Sequence, residues 1–374
     1  MTEWIEPQFN WFEARALCRY VGTVQSGDYS RGSMKAACLH SFTDSDIADV
    51  VKIEDVDAPV IEAPNDIIVR IAGAGVCRTD LHIVEGQPIG DGPVPLPHVL
   101  GHENAGFVEE VGANVSTVRV GDPVLCYPFL TSGLAPVERR GLENFVGGRA
   151  TPGINAAGGF AEFLRTAERS VVPLPSNCDP VDFAPLADAG LAAFRACSQA
   201  AAVLRPSDTA YVIGVGGLGH LGVQILKVLS PATVVAIDTR ADARELAIRL
   251  GSDTSFATVG EAVAAFNGRP QAIVDFVGSN ATVEAAVNAL EVGGRLELVG
   301  VDGRIDLPTR LIVESELTVA GSLVGTFAEL LELTELVVAD RIKVIVDRYP
   351  LDEAARALTD LRSGSVLGRA VLLP

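Results

Sequence analysis

Residues 210–222 read Ala210-Tyr-Val-Ile-Gly214-Val-Gly216-Gly217-Leu218-Gly219-His220-Leu-Gly222. An apolar run enters this stretch, a Gly-x-Gly-x-x-Gly triplet occupies its middle, and a helical pattern leaves it. In that setting Gly214 permits a tight turn, Gly216 lets the backbone approach a pyrophosphate, and Gly219 allows close helix–sheet packing. The head of the helix then offers oriented N–H donors to an anion. A glycine-rich turn with no ligand is the plain alternative. Gly217 and Leu218 share the turn, and Val299, in the run Leu296-Glu-Leu-Val-Gly, is counted with them as a cofactor contact. Asp238 ends the next apolar run, nineteen residues after Gly219, where a carboxylate can accept both hydroxyls of an adenosine ribose. It would repel a 2′-phosphate, so NAD is favoured over NADP. Two features stand against that reading: Arg240 could accommodate such a phosphate, and Asp238 could be a helix cap or turn residue.

The pattern repeats outward from this turn. Helical stretches at 191–204, 218–229, 241–250 and 281–290 alternate with apolar runs at 210–214, 234–238, 272–276 and 296–300. Strands alternating with helices of this length predict βαβ units on a doubly wound parallel sheet. From Met34 to about Ala187 the character is different. Short β-branched runs such as Ile67-Ile-Val-Arg-Ile and Phe107-Val-Glu-Glu-Val alternate with Gly and Pro turns, which reads as β-rich. The last fifty residues are mixed and end in Arg369-Ala-Val-Leu-Leu, a closing strand. Residues 1–33 carry no steady period and read as a peripheral extension, with Met34 as the functional start of the chain.

Composition narrows the function classes. The chain has 374 residues, enough for two domains at about 150 each, and 48% of them are hydrophobic. Lys plus Arg number 29 against 48 Asp plus Glu, a formal charge of −19, which disfavours nucleic acid and anionic membranes as partners. Six cysteines at 18, 38, 77, 126, 178 and 197 form no C-x-x-C pair and no dense cluster, so no disulfide scaffold is expected. The uncharged stretch Thr209–Leu226 is 18 residues long but contains five glycines. It reads as strand, turn and helix rather than a membrane span. The expected compartment is the cytoplasm.

Three segments carry potential metal ligands: Gly75-Val-Cys77-Arg78-Thr79-Asp80-Leu-His82, Gly101-His102-Glu103-Asn-Ala-Gly106, and Ala184-Pro-Leu-Ala-Asp188-Ala-Gly190. A thiol, an imidazole and a carboxylate all suit zinc, but their spacing alone does not join them. Cys77 could equally be a small buried hydrophobe and Asp188 a helix cap. Together with the glycine turn, these segments resemble the zinc-dependent medium-chain dehydrogenase/reductase family, and in particular its bacterial secondary-alcohol dehydrogenases. The resemblance runs from about Met34 to Pro374. It implies an α/β chain made of a GroES-like β-rich catalytic domain (34–189, with 325–374 returning to it) and a Rossmann domain (190–324).

The resemblance also implies Cys77, His102 and Asp188 as ligands of one catalytic zinc, with Glu103 the carboxylate close to it. Thr79 becomes the hydroxyl that touches the alcohol, His82 the proton exit, and Arg78 and Arg369 pyrophosphate contacts. The family's second, structural zinc is held by four Cys, and here those positions are Ser132, Ala135, Glu138 and Val146. A single zinc per chain is therefore expected, with the surrounding lobe held by packing alone and mobile. The implied activity is reversible hydride transfer between a primary or secondary alcohol and NAD, in a homo-oligomer, either dimer or tetramer. A polyol or sugar dehydrogenase of the same framework is the nearer rival, and a non-catalytic NAD-binding protein the more distant one.

Overall fold

The computed structural model describes residues 32–89, 94–265 and 269–374. The expectation of a peripheral extension falls almost wholly on residues 1–31, outside the described residues. The first strand, Ser33–Leu39, begins one residue before Met34.

The apolar runs around the glycine turn contribute strands to a six-stranded parallel sheet. Its order is Thr254–Phe256, Thr233–Ile237, Thr209–Ile213, Ala272–Asp275, Arg295–Leu298, Thr318–Gly321. The central strands are buried from Ala210 to Ile213 and from Ala272 to Asp275, as parallel strands covered on both faces must be. The strand order reverses between Thr209–Ile213 and Ala272–Asp275, and the glycine turn leaves the first of these at its carboxyl end. Open α/β sheets bind ligands at such a switch point. This is the doubly wound sheet expected from the alternation of runs and helices.

The β-rich remainder forms a mainly antiparallel sheet in the order Val346–Pro350, Arg369–Leu373, Asp66–Gly75, Glu103–Val111, Pro123–Cys126, Val171–Pro173, with Phe163–Ala167 also pairing on Asp66–Gly75. A small sheet of Val51–Asp57, Ser33–Leu39 and His98–Val99 packs beside it. The C-terminal strand lies in this sheet, between Val346–Pro350 and Asp66–Gly75, and not in the parallel one. The helix Ala189–Ala201 joins the two bodies. Its buried face, with Leu191, Phe194 and Cys197, belongs to one apolar core that also includes Leu125 of the antiparallel sheet and Val212 of the parallel sheet.

The lobe at residues 131–149 departs from expectation: packing alone does not hold it. Glu138 is only 5% exposed. Its carboxylate accepts from the backbone N–H of Gly133 (2.7 Å) and Ala135 (2.7 Å) and from the Ser132 hydroxyl (3.0 Å). Three of the four positions that would otherwise carry metal ligands thus meet at one carboxylate. The physical reason is that an acceptor-only group with two oxygens can gather several donors, as charge-assisted hydrogen bonds. Burial works to raise the Glu138 pKa, but these donors outweigh it and bring the carboxyl down from 4.5 to about 2.

A carboxyl depressed in the folded state stabilises fully above its unfolded pKa and loses that contribution as pH falls towards its folded value. Glu138→Gln should therefore cost about 2 kcal/mol at pH 7. The gap to wild type in denaturant unfolding should shrink between pH 4.5 and about 2. An equal gap at pH 7 and pH 3 would show that the charge does not organise the lobe.

Candidate metal centre and dinucleotide cleft

Sheet register brings the first two metal-ligand candidates together. Gly75 is paired with Glu103 and Val371 with Gly75. The chain two residues past Gly75, the residue before Glu103 and the start of the strand Arg369–Leu373 therefore leave the sheet at one end. Cys77, His102 and Arg369 occupy those places. Asp188 reaches the same point from the N-terminus of the helix Ala189–Ala201. It stands at the cap position but makes no capping hydrogen bond. Its Oδ2 lies 3.7 Å from Cys77 Sγ and 3.5 Å from His102 Nε2. The helix-cap alternative for Asp188 is thus not what its side chain does.

Among the described residues, one set of His, Cys, Asp and Glu donors converges closely enough for a metal. Cys77, His102, Glu103 and Asp188 present atoms all within 4.8 Å of one another. Ligands at 2.0–2.3 Å from a tetrahedral zinc stand about 3.3–3.7 Å apart, which is the spacing of the Asp188 carboxylate from the thiol and from the imidazole here. His102 Nε2 is buried and has no hydrogen-bond partner. The donor set and this orphaned nitrogen fit a zinc ion.

A further residue organises the set. Asp80, fully buried, accepts from the Cys77 backbone N–H through Oδ2 (2.8 Å) and places Oδ1 3.3 Å from His102 Nδ1. One carboxylate thereby orients two of the candidate ligands, the arrangement that fixes a histidine's ring and tautomer. Burial opposes a charge on His102, but Asp80 and Asp188 outweigh it and hold the imidazole pKa well above its usual value. The Asp188 carboxyl is lowered: burial works against its charge, and the His102 contact more than offsets this. Sequence reasoning quoted Asp80 without a role. The signal was an acid three residues after Cys77, able to reach back to the backbone N–H at a helix start.

Glu103 lies beneath this cluster, with no exposed surface. Its Oε1 accepts from Arg369 and from the Ala189 N–H (3.2 Å). A side chain at position 75 would stand 2.0 Å from its Oε2, so only glycine leaves Glu103 its place. Burial raises the Glu103 pKa against the pull of Arg369. The Arg369 guanidinium also borders Gly217, since a Cβ there would lie 2.5 Å from its Nη1. It thus sits between the phosphate turn and Glu103. Arg78, exposed in the first turn of the helix Arg78–Val84, makes no such contact. Thr79 Oγ1 is 3.8 Å from Cys77 Sγ, and half-buried His82 stands three residues along the same helix.

At the glycine turn, Gly214 has φ +85°, and a Cβ on Gly219 would fall 1.8 Å from the Gly214 carbonyl oxygen. Leu218 stands at the N-cap of the following helix, and Val299, just past the strand Arg295–Leu298, donates its N–H to the Asp275 carbonyl (3.0 Å). Asp238 follows the strand Thr233–Ile237 and ties two loops: Oδ2 accepts from Val215 N–H (2.8 Å) and Oδ1 from Arg240 N–H (2.9 Å). Arg240 turns back on Asp238 at 3.6 Å and donates to the Gly364 carbonyl. His220, fully buried, was read only as part of the turn. It meets the Gly216 carbonyl through Nδ1 (3.1 Å), and burial pushes its pKa down to about 4. The thiols of Cys38 and Cys126, by contrast, are pushed up to about 12 by burial and have no place in this chemistry.

A cavity of about 690 Å³ opens on the cluster at Thr79, His102 and Asp188. Its walls are mainly apolar, among them Ile89, Val94, Phe129, Phe145, Leu323 and Val324, with Asn144, Arg149, Thr151 and Asn155 as polar members.

Comparison with known proteins gives two family matches. Residues 63–176 match the "Alcohol dehydrogenase GroES-like domain" and residues 217–339 match "Zinc-binding dehydrogenase". An NAD-dependent alcohol dehydrogenase of Sulfurisphaera tokodaii is 32% identical, covering 88% of this chain and 98% of its own. The crystal structure of an alcohol dehydrogenase from Aeropyrum pernix superposes with a TM-score of 0.85 at 44% identity, covering 91% of this chain and 100% of that one. The D-arabinose dehydrogenase of Sulfolobus solfataricus does so at 0.80 and 30% identity, covering 92% and 100%.

Metal analysis tests the cluster. Wild-type protein should carry about one zinc per chain, Asp188→Ala should lose it, and Asp80→Ala should bind it roughly 10–100-fold more weakly. Retention of full zinc affinity by both variants would remove these residues from the site.

Proposed function

The chain belongs to the zinc-dependent alcohol dehydrogenases of the medium-chain dehydrogenase/reductase family, and we propose that Cys77, His102 and Asp188 hold its catalytic zinc beside an NAD bound across the glycine turn. The single observation that carries this reading is the convergence of those three donors, two of which, His102 and Asp188, line the cavity together with Thr79. When bound, zinc polarises an alcohol oxygen and lowers its pKa while NAD accepts the hydride.

The remaining work falls to the chain. Asp80 fixes the Cys77 backbone and the His102 ring, so the ligands need little reorganisation. Thr79 borders both the cluster and the cavity and holds the substrate hydroxyl. Its proton leaves towards His82, which lies on the same helix face. Gly214, Gly216, Gly217, Leu218 and Gly219 receive the dinucleotide, with Arg369 at the pyrophosphate and Val299 at the adjoining strand end. Asp238 takes the adenosine ribose hydroxyls, and Arg240, already paired with it, is not arranged to receive a 2′-phosphate. Glu103 stays under the metal ligands with Arg369 as its counter-charge, and Arg78 contributes a nearby positive charge at the surface.

The apolar walls support a hydrocarbon alcohol over a polyol. A sugar's hydroxyls would lose their water in such a cavity without enough partners, and each unmatched polar group buried costs on the order of 1–3 kcal/mol. The D-arabinose dehydrogenase relative makes the sugar reading worth testing directly. We also propose the division at 34–189, 190–324 and 325–374, a homo-oligomeric assembly and a cytoplasmic location. Among the described residues, no helix is long and apolar enough to cross a membrane.

The test is NADH formation across primary, secondary, aryl and polyol substrates. Secondary or aryl alcohols should exceed sorbitol or arabinose in kcat/KM by about 100-fold or more, and NADP should serve poorly. A preference for the sugars would overturn the assignment of substrate class, and zinc-loaded protein that binds NAD but turns over nothing would overturn the enzymatic reading.

A further inference from the structure

The strand Thr318–Gly321 leaves the parallel sheet and runs through Ser322–Gly325 into the helix Phe327–Val338. Within this turn Val324 has φ 44°. That left-handed conformation is unfavourable for a β-branched residue, and it persists only where the surroundings over-determine it. Here they do. Asn144 Nδ2 donates to the Leu323 carbonyl at 2.9 Å, and the Tyr127 hydroxyl donates to the Gly325 carbonyl at 2.8 Å. Both donors come from the β-rich body and bracket the strained residue. Gly325 itself is pressed on the helix Ala189–Ala201, where a Cβ would lie 2.5 Å from Leu191.

The two donors are themselves fixed. Asn144 is fully buried. The Tyr127 ring is wedged edge-on between Phe129 (5.3 Å) and Phe327 (5.7 Å). Leu323 and Val324 line the cavity that touches Thr79, His102 and Asp188, and Asn144 and Phe129 line it too. A backbone relaxed out of the left-handed region would re-aim the Val324 side chain.

We infer that Asn144 and Tyr127 are positioning residues for substrate selection: their hydrogen bonds hold the turn Leu323–Gly325 in its strained form, so that Val324 stands as a fixed wall of the substrate cavity. This rests on reading that cavity as the alcohol site. Neither side chain needs to touch the reacting atoms, so their loss should act on KM and selectivity more than on kcat.

The experiment compares 2-propanol with 1-phenylethanol as substrates for wild type, Tyr127→Phe, Asn144→Ala, Val324→Gly and the double variant Tyr127→Phe/Val324→Gly. Each clamp variant should shrink the selectivity ratio in kcat/KM by about tenfold, through KM, with kcat within about threefold. Val324→Gly should lose the same selectivity, and Tyr127→Phe should add nothing to it. Glycine normally costs chain entropy, so a melting temperature raised by about 2 °C in Val324→Gly would report relief of strain. An unchanged ratio in both clamp variants, or an undiminished effect of Tyr127→Phe beside Val324→Gly, would overturn the inference. So would a lowered melting temperature for Val324→Gly, a readout that stands even if the clamp variants fail to fold. Wild-type enzyme that oxidises neither alcohol would instead count against the proposed function, leaving the melting test of the turn intact.

Discussion

Five ionisable side chains, Cys77, Asp80, His102, Glu103 and Arg369, are packed almost entirely out of water in one place, with Asp188 at their open edge. Buried charge is tolerated only when it is paired and its lone pairs are filled, and this cluster meets the requirement in a particular way. Arg369 answers Glu103, Asp80 answers His102, and Asp188 is drawn towards both His102 and Cys77. The acids still outnumber the bases. A divalent cation held by Cys77, His102 and Asp188 would offset part of that excess.

That constraint reaches into the fold. Glu103 can lie under the ligands only because position 75 has no side chain, and the pairing of Gly75 with Glu103 is also what sets Cys77 beside His102. Arg369 arrives on the final strand, so the C-terminal segment must return to the antiparallel sheet. The same guanidinium borders Gly217 in the phosphate turn of the other body. One buried cation therefore spans the metal cluster and the dinucleotide turn, and each half of the chain places a wall against the other.

The parallel half was legible in the sequence because its signals are local: a strand, a glycine turn and a helix lie within thirteen residues, and an acid follows at the end of the next strand. The metal set was not legible in that way. Cys77, His102 and Asp188 meet through strand register and a helix N-terminus far along the chain, and only resemblance joined them. Asp80 went unassigned because its work is done through one backbone N–H and one imidazole nitrogen, neither of which a residue pattern displays. Glu138 was read as a missing ligand, and its positive capacity, two oxygens able to collect neighbouring donors, was overlooked. The strained turn at Val324 could not be seen at all, since its clamps come from residues 144 and 127, some 180 and 200 positions earlier.

A chain of formal charge −19 repels an anionic dinucleotide at long range, but salt screens such fields beyond about 8–10 Å. Affinity is decided inside that distance, where the helix N-terminus at Gly219 and the buried Arg369 beside Gly217 offer positive groups. Arg369 is poorly screened because it is buried, and its burial is bearable because Glu103 accompanies it. The Glu103 carboxylate and the Arg369 guanidinium therefore depend on each other: removing either would leave the other as an unpaired charge in the interior, costing more than the pair contributes.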